Sequence, residues 1–200
     1  MPGAVGAVTA RLGVFGGSFD PVHLGHLIVA SEAARSLDLT EVRLIPVGEH
    51  PLKHGGPVVR AEHRLAMLRL AVGGDARFVV DDRECRRTGP SYTVETLREL
   101  RAEFPSASLF LMMGSDAAQQ LSAWHEAEAL ATLAEVVELR RPGAEPTRHP
   151  IVTRILDVPA IDISATALRE RLHRGERVRY FVPDAVADYI ATHELYGVEA

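Results

Sequence analysis

Two glycines followed by two histidines make the densest chemical signal in the chain, Gly16-Gly17-Ser18-Phe19-Asp20-Pro21-Val22-His23-Leu24-Gly25-His26. Glycines let backbone N–H groups approach phosphate oxygens with no side chain between, and a helix starting just after them adds partial positive charge. His23 and His26 fall on one helical side, so both can reach a single phosphate chain and offer it charge or hydrogen-bond donors. A lone histidine more often packs or caps a helix, and that alternative stands for each. The pairing beside a glycine turn favours the anion site. A metal site is the lesser reading, because two histidines without a nearby third ligand make an incomplete set. The spacing matches neither Gly-x-Gly-x-x-Gly nor Gly-x-x-x-x-Gly-Lys-Ser/Thr, so the dinucleotide and P-loop readings both fail.

A second anion site is suggested far downstream by Ile163-Ser164-Ala165-Thr166-Ala167-Leu168-Arg169. Ser164 is a helix N-cap candidate whose helix offers free N–H groups, and Arg169 on the same helix can extend a guanidinium to phosphate. Taken alone, the segment also reads as a capped amphipathic helix with solvated arginines. Lys53 is the only lysine, and it stands in Pro51-Leu52-Lys53-His54. These two basic groups fit a phosphate contact as well as an ordinary loop charge. His50 and His54 could be paired on a metal, but Pro51 argues against the regular helix that would align them.

The elements that must position these groups alternate. Leu12 to Phe15 reads as a strand, and the helix after it carries Leu24, Leu27, Ile28, Ala30 and Ala34. Val42 to Val47 and Phe78 to Val80 read as strands on either side of a helix from Arg60 to Val72. Ser91 or Thr93 can cap a helix carrying Val94, Leu97 and Leu100, and Ser108 to Met113 is a continuous apolar strand ending at Gly114. Glu126 to Leu133 and Val136 to Leu139 continue the pattern until Arg141-Pro142-Gly143 breaks it, with Gly143 to Pro150 as a surface loop. Ile151 to Val158 reads as a last strand; helices follow at Ala165 to His173 and from Pro183 to about Gly197. The expected fold is a doubly wound, Rossmann-like parallel sheet with helices on both faces and right-handed crossovers. It forms a single domain over residues 1–200, with a core at about 11–175 and a C-terminal helical segment at about 176–200. Such sheets bind ligands beyond the carboxyl ends of their strands, which is where Gly16 and Gly17 arrive.

Gly16 to His26 resembles the signature of the adenylyltransferase and cytidylyltransferase superfamily, Gly-Gly-Thr/Ser-Phe-Asp-Pro-x-His-x-Gly-His, at all of its defining positions. Ile163 to Arg169 is similar to that superfamily's Ile-Ser-x-Thr-x-x-Arg. The resemblance implies ATP held by Gly16, Gly17, Ser18, Phe19, His23, His26, Ser164, Thr166 and Arg169. Further segments resemble the bacterial nicotinate-nucleotide adenylyltransferase family across nearly the whole chain. They are Ser91-Tyr92-Thr93-Val94-Glu95-Thr96-Leu97, Gly114-Ser115-Asp116, Trp124, Arg141-Pro142-Gly143 and Val182-Pro183-Asp184. That likeness implies Gly114 and Asp116 against the nucleotide ribose. It implies Ser18, Lys53, His54, Tyr92, Thr93, Trp124 and His125 around the second substrate, nicotinate mononucleotide, partly through backbone N–H groups. Trp124 could equally be core, and Asp116 and Thr93 could simply cap helices. The family often shows Pro-Pro-His-Lys/Arg where this chain has Pro51-Leu52-Lys53-His54, so which basic group touches substrate stays open.

The implied reaction transfers the adenylyl group of ATP to nicotinate mononucleotide, giving deamido-NAD and pyrophosphate in NAD biosynthesis, with His23, His26, Lys53 and Arg169 as catalytic candidates. A sister transferase acting on nicotinamide mononucleotide or phosphopantetheine shares both phosphate motifs, and a non-catalytic nucleotide sensor is the rival of another class. Magnesium, Mg2+, is expected as the companion of ATP, carried by substrate oxygens and water with no protein metal ligand.

Composition fits this reading. There are 22 Lys plus Arg against 27 Asp plus Glu, a net charge of -5, so no general footprint for nucleic acid exists and any anion site must be local. Cys85 is the only cysteine, which excludes an internal disulfide and fits a cytoplasmic protein with a small, partly buried thiol. No run approaches the ~18 apolar residues of a membrane span, and Met1 to Ala10 lacks a basic start followed by an apolar stretch. A homo-oligomer is compatible with all of these features.

Overall fold

Leu12, Val14 and Phe15 bury strand β1 (Arg11–Gly17) in the middle of the sheet. The structure, a computed structural model, describes residues 9–49 and 57–197. After β1 come α1 (Leu24–Ser36), β2 (Glu41–Pro46), α2 (Ala61–Val72), β3 (Phe78–Val80), α3 (Arg83–Arg86) and α4 (Thr93–Glu103). They are followed by β4 (Ser108–Gly114), α5 (Ser115–Ala118), a 3-10 turn at Leu121–Ala123, α6 (Ala127–Leu133), β5 (Glu135–Arg140) and β6 (Val152–Asp157). Helices α7 (Ala165–His173) and α8 (Asp184–Thr192) close the order. The strands pair as β3-β2-β1-β4-β5-β6, every pair parallel.

The apolar run of β4 has the consequence expected of a sheet covered on both faces. Leu109, Leu111 and Met113 pack with Val94, Leu97, Leu100 and Leu130 from α4 and α6. Phe110 and Met112 point the other way, into a second core with Ala30, Ala33, Met67, Leu168, Val186 and Ile190 from α1, α2, α7 and α8. Helices therefore cover both faces of a doubly wound sheet.

Several local expectations need correction. Tyr92, not Ser91 or Thr93, is the N-cap of α4, and no side chain caps it. The Ser91 hydroxyl instead donates to the Glu84 carbonyl at 3.3 Å, serving one of the acceptors left open along the single turn of α3. Asp116 lies in the first turn of α5, where Gly114 is the N-cap. Helix α6 begins at Ala127 because Glu126 adopts φ 48° as its N-cap. The last helix stops at Thr192 rather than near Gly197; left-handed Glu194 and Tyr196 then turn the chain inward and bury the Tyr196 ring. The short helices α3 and α5 and the 3-10 turn were not foreseen.

Candidate active site

The strand order reverses direction between β1 and β4, and a crevice opens where neighbouring crossovers leave in opposite directions. Gly16 and Gly17 end β1 there and Gly114 ends β4. Two cavities flank this point. The smaller, about 240 Å³, is lined by His23, His26, Arg141, Ser164 and Ala165 together with Phe15, Gly114 and apolar neighbours. The larger, about 500 Å³, is lined by Gly16, Gly17, Ser18, Glu84, Ser91, Tyr92, Thr93, Thr96, Trp124 and His125 among others. Gly114 faces both.

On the smaller side the two imidazoles stack, with ring centroids 3.7 Å apart and planes 26° off parallel. The His23 backbone N–H donates to His26 Nδ1 at 3.3 Å, so the neutral His26 ring carries its proton on Nε2, free to donate. Burial lowers the His23 pKa to about 4, with Arg141 adding to the effect. Burial, His23 and Arg141 hold His26 well below the usual imidazole value. Near neutral pH both rings are therefore uncharged donors, and their charge can come only with an anion beside them. Buried His23 Nδ1 has no partner among the described residues.

The downstream segment reaches the same cradle. The Ser164 side chain accepts the Ala167 N–H at 3.2 Å and caps α7, whose first N–H groups open onto the cavity that His23 and His26 line. Arg169 makes contacts that the sequence did not announce. It donates to the Asp20 carbonyl at 2.7 Å and to the Thr166 hydroxyl at 3.2 Å, and so ties α7 to the first motif. Phe19, fully buried with φ 48°, packs its ring edge-on to His26 at 5.0 Å. Phe19, Asp116, Thr166 and Arg169 line neither cavity.

Asp20 is a support that the sequence did not single out. It is 2% exposed, and its carboxylate accepts from the Val58 N–H at 2.5 Å, the Val59 N–H at 3.4 Å and the Tyr196 hydroxyl at 2.7 Å. Buried Arg64, on α2, donates to the Ser18 carbonyl at 2.9 Å. Arg141 entered the sequence reading in a loop signal and in a segment of family resemblance, with no role assigned, and it stands one residue past β5 at the sheet edge and is the cation that lines the cavity among the described residues. Its position directly after a parallel strand was the available signal.

On the larger side, Ser18, Tyr92, Thr93, Trp124 and His125 come together as expected. Tyr92 and His125 rings lie 4.5 Å apart. Trp124 is half-buried, packed partly on the core and partly open to the cavity, so neither of its two readings excludes the other. Lys53 and His54 lie outside the described residues, as do His50 and Pro51. Among the described residues, no three His, Cys, Asp or Glu side chains gather as a metal site.

A crevice of this kind at a topological switch point, with glycines and a helix N-terminus on one side, defines a nucleotide-binding α/β protein. The chain belongs to the cytidylyltransferase-like family, whose model matches residues 14–171. It is 47% identical over 186 residues to a Thermus thermophilus protein named "Probable nicotinate-nucleotide adenylyltransferase", covering 93% of this chain and 99% of that one. It is 44% identical over 189 residues to the protein of the same name from Leifsonia xyli, covering 93% and 94%. Within the wider family the chain therefore falls with the nicotinate-nucleotide adenylyltransferases. Its fold is also that of a Plasmodium falciparum nicotinic acid mononucleotide adenylyltransferase solved in complex with NaAD, with TM-score 0.76, 17% identity and coverage of 94% of this chain and 97% of that one.

Proposed function

We propose that this chain is a nicotinate-nucleotide adenylyltransferase that joins nicotinate mononucleotide to the adenylyl group of ATP, releasing pyrophosphate and forming deamido-NAD. The observation that carries this reading is the pair of cavities on either side of Gly16-Gly17 and Gly114. One side offers imidazole, guanidinium and helix N–H groups for a triphosphate; the other is larger, with aromatic side chains that suit a pyridine ring.

The acceptor phosphate has a second pKa of ~6, so it is mostly a dianion at neutral pH and attacks the α-phosphorus without a general base. Rate then depends on aligning that oxygen and stabilising charge on the departing pyrophosphate. Gly16, Gly17 and Ser18 offer backbone approach, while His23, His26 and Arg141 donate to the phosphates. Ser164 and Thr166 present the α7 N-terminus. Arg169 acts through its hold on Asp20, and Lys53 adds a cation. Gly114 and Asp116 sit toward the ribose. Tyr92, Thr93, Trp124 and His125 hold the pyridine nucleotide, and family resemblance adds His54 to its contacts. The carboxylate within the first motif, Asp20, has its oxygens committed to protein donors. Magnesium therefore fits as an ion carried by triphosphate oxygens and water, where it would neutralise charge on the leaving group. No helix among the described residues is long and apolar enough to cross a membrane. We read the chain as one transferase domain working in the cytoplasm on small molecules.

Pyrophosphate release with ATP and each of nicotinate mononucleotide, nicotinamide mononucleotide and phosphopantetheine tests the reading. Release with the nicotinate acceptor in clear preference supports it. Preference for phosphopantetheine overturns the acceptor, and ATP binding without release under any condition overturns catalysis.

A further inference from the structure

The larger cavity contains a group that its expected occupant should not tolerate. Nicotinate brings a carboxylate, yet among the described residues the one carboxyl side chain in the lining is Glu84, and no lysine or arginine lines the cavity there. Glu84 is 8% exposed. Its Oε1 accepts the Thr96 hydroxyl at 2.7 Å, and its other oxygen has no hydrogen-bond partner among the described residues and is not sealed into the core. Its backbone carbonyl accepts from Ser91, which begins the Ser91-Tyr92-Thr93 turn. Glu84 thus stands on the wall where that turn meets the cavity.

The position is built rather than incidental. A Cβ on Gly48 would lie 2.2 Å from the Glu84 carbonyl oxygen, so glycine there lets α3 press against the end of β2 and push Glu84 inward. Burial raises the Glu84 pKa. The charged groups around it largely answer to others. Arg87, which favours the ionised form, donates to Glu99 at 2.7 Å. Asp81 and Glu99 oppose ionisation, with Asp81 bonded to Arg43 and Arg83. His125, across the cavity and half-exposed, lies 3.3 Å from Glu126.

Resting on the proposed function, we propose that Glu84 is a specificity-determining residue that couples the charge of the cavity's occupant to a proton. An acceptor with a ring carboxylate is bound together with one proton, taken from solvent onto the Glu84 carboxyl. An acceptor with a ring carboxamide is bound without it. Two like charges confined in a half-buried cavity repel strongly, and neutralising the protein's carboxyl removes that repulsion. The neutral carboxyl can in turn donate its O–H to the bound carboxylate. Nicotinate binding accordingly weakens as pH rises above the Glu84 pKa, whereas nicotinamide binding does not share this dependence.

The test compares dissociation constants of nicotinate mononucleotide and nicotinamide mononucleotide for the full chain from about pH 4.5 to about pH 9, a span that begins near the ordinary carboxyl range and runs well above it. Both ligands carry the same phosphate, so its ionisation cancels in their ratio. In the wild type the acid-to-amide ratio of dissociation constants climbs with pH, towards about tenfold per unit. In Glu84→Gln, which keeps an oxygen acceptor for Thr96, the ratio is flat. A flat ratio in the wild type, or an unchanged slope in Glu84→Gln, overturns the proposal. Should that variant fail to fold, His125→Gln decides: a pH-dependent ratio that persists in it supports Glu84, and a ratio that turns flat overturns the proposal. An enzyme that adenylylates nicotinate mononucleotide with a flat ratio loses only this proposal; one that adenylylates no pyridine nucleotide loses the functional reading and the proposal together.

Discussion

His26 shows how a motif residue acquires its chemistry from its neighbours. Its spacing from His23 was enough to suggest two groups on one anion, and the residue types fitted phosphate. The hydrogen bond from the His23 backbone, the ring stack and the edge of Phe19 then fix which nitrogen faces outward. His26→Ala should lower turnover ~100-fold or more with the far-UV circular dichroism spectrum unchanged, the scale of losing one preorganised donor. Near-normal turnover would remove His26 from the mechanism. The depressed imidazole values carry a second prediction. Burial disfavours the charged rings, so between about pH 4 and 6.5 the unfolded chain binds more protons than the folded one at His23. The folded state loses stability as pH falls through that window and regains it above 6.5. For His23 the full loss is roughly 3 kcal/mol. Urea midpoints at several pH values should show it, and a His23→Gln/His26→Gln double variant should show a shallower acid slope.

At the scale of elements, periodicity located the long strands and helices, because each had a face to bury and repeats enough to reveal it. Helices α3 and α5 span four residues each, too few to display a helical period. Their importance is out of proportion to their length, since α3 delivers Glu84 to the cavity. Gly48→Ala tests that contact between elements. The added Cβ meets backbone rather than a yielding side chain, so β2 and α3 must separate, at a cost of about 2 kcal/mol or more. Weaker binding of the pyridine nucleotide, with the ATP dissociation constant little changed, is the expected result by calorimetry. Arg169 belongs at this scale too. The motif named the residue and its basic chemistry, but its guanidinium spans from α7 to the Asp20 carbonyl, a bond between positions 149 residues apart that no local pattern announces. Arg169→Lys should raise the KM for ATP and loosen the first motif, because an ammonium cannot reproduce the two directed bonds.

Across the whole molecule, the C-terminal segment closes on the segment where the chemistry begins. The Phe181 carbonyl accepts the Leu24 N–H at 2.9 Å, and the Tyr196 hydroxyl reaches the buried Asp20 carboxylate. Tyr196→Phe should cost roughly 2 kcal/mol of stability by leaving that carboxylate one donor short, measured as a lowered urea midpoint. ATP should recover part of it by binding the folded state alone. The sequence determined by itself the alternation of strand and helix and the two anion-binding motifs, because these are local patterns of spacing and glycine, while the residues of the larger cavity came from family resemblance. Tertiary structure decided that Gly114 stands between two cavities and that the histidines rest uncharged. It also tied Asp20 and Arg169 into the first motif and brought the Glu84 residue to the wall of the larger cavity. Those facts depend on burial and on contacts between distant positions, and both arise only when the sheet brings the ends of its strands to one edge.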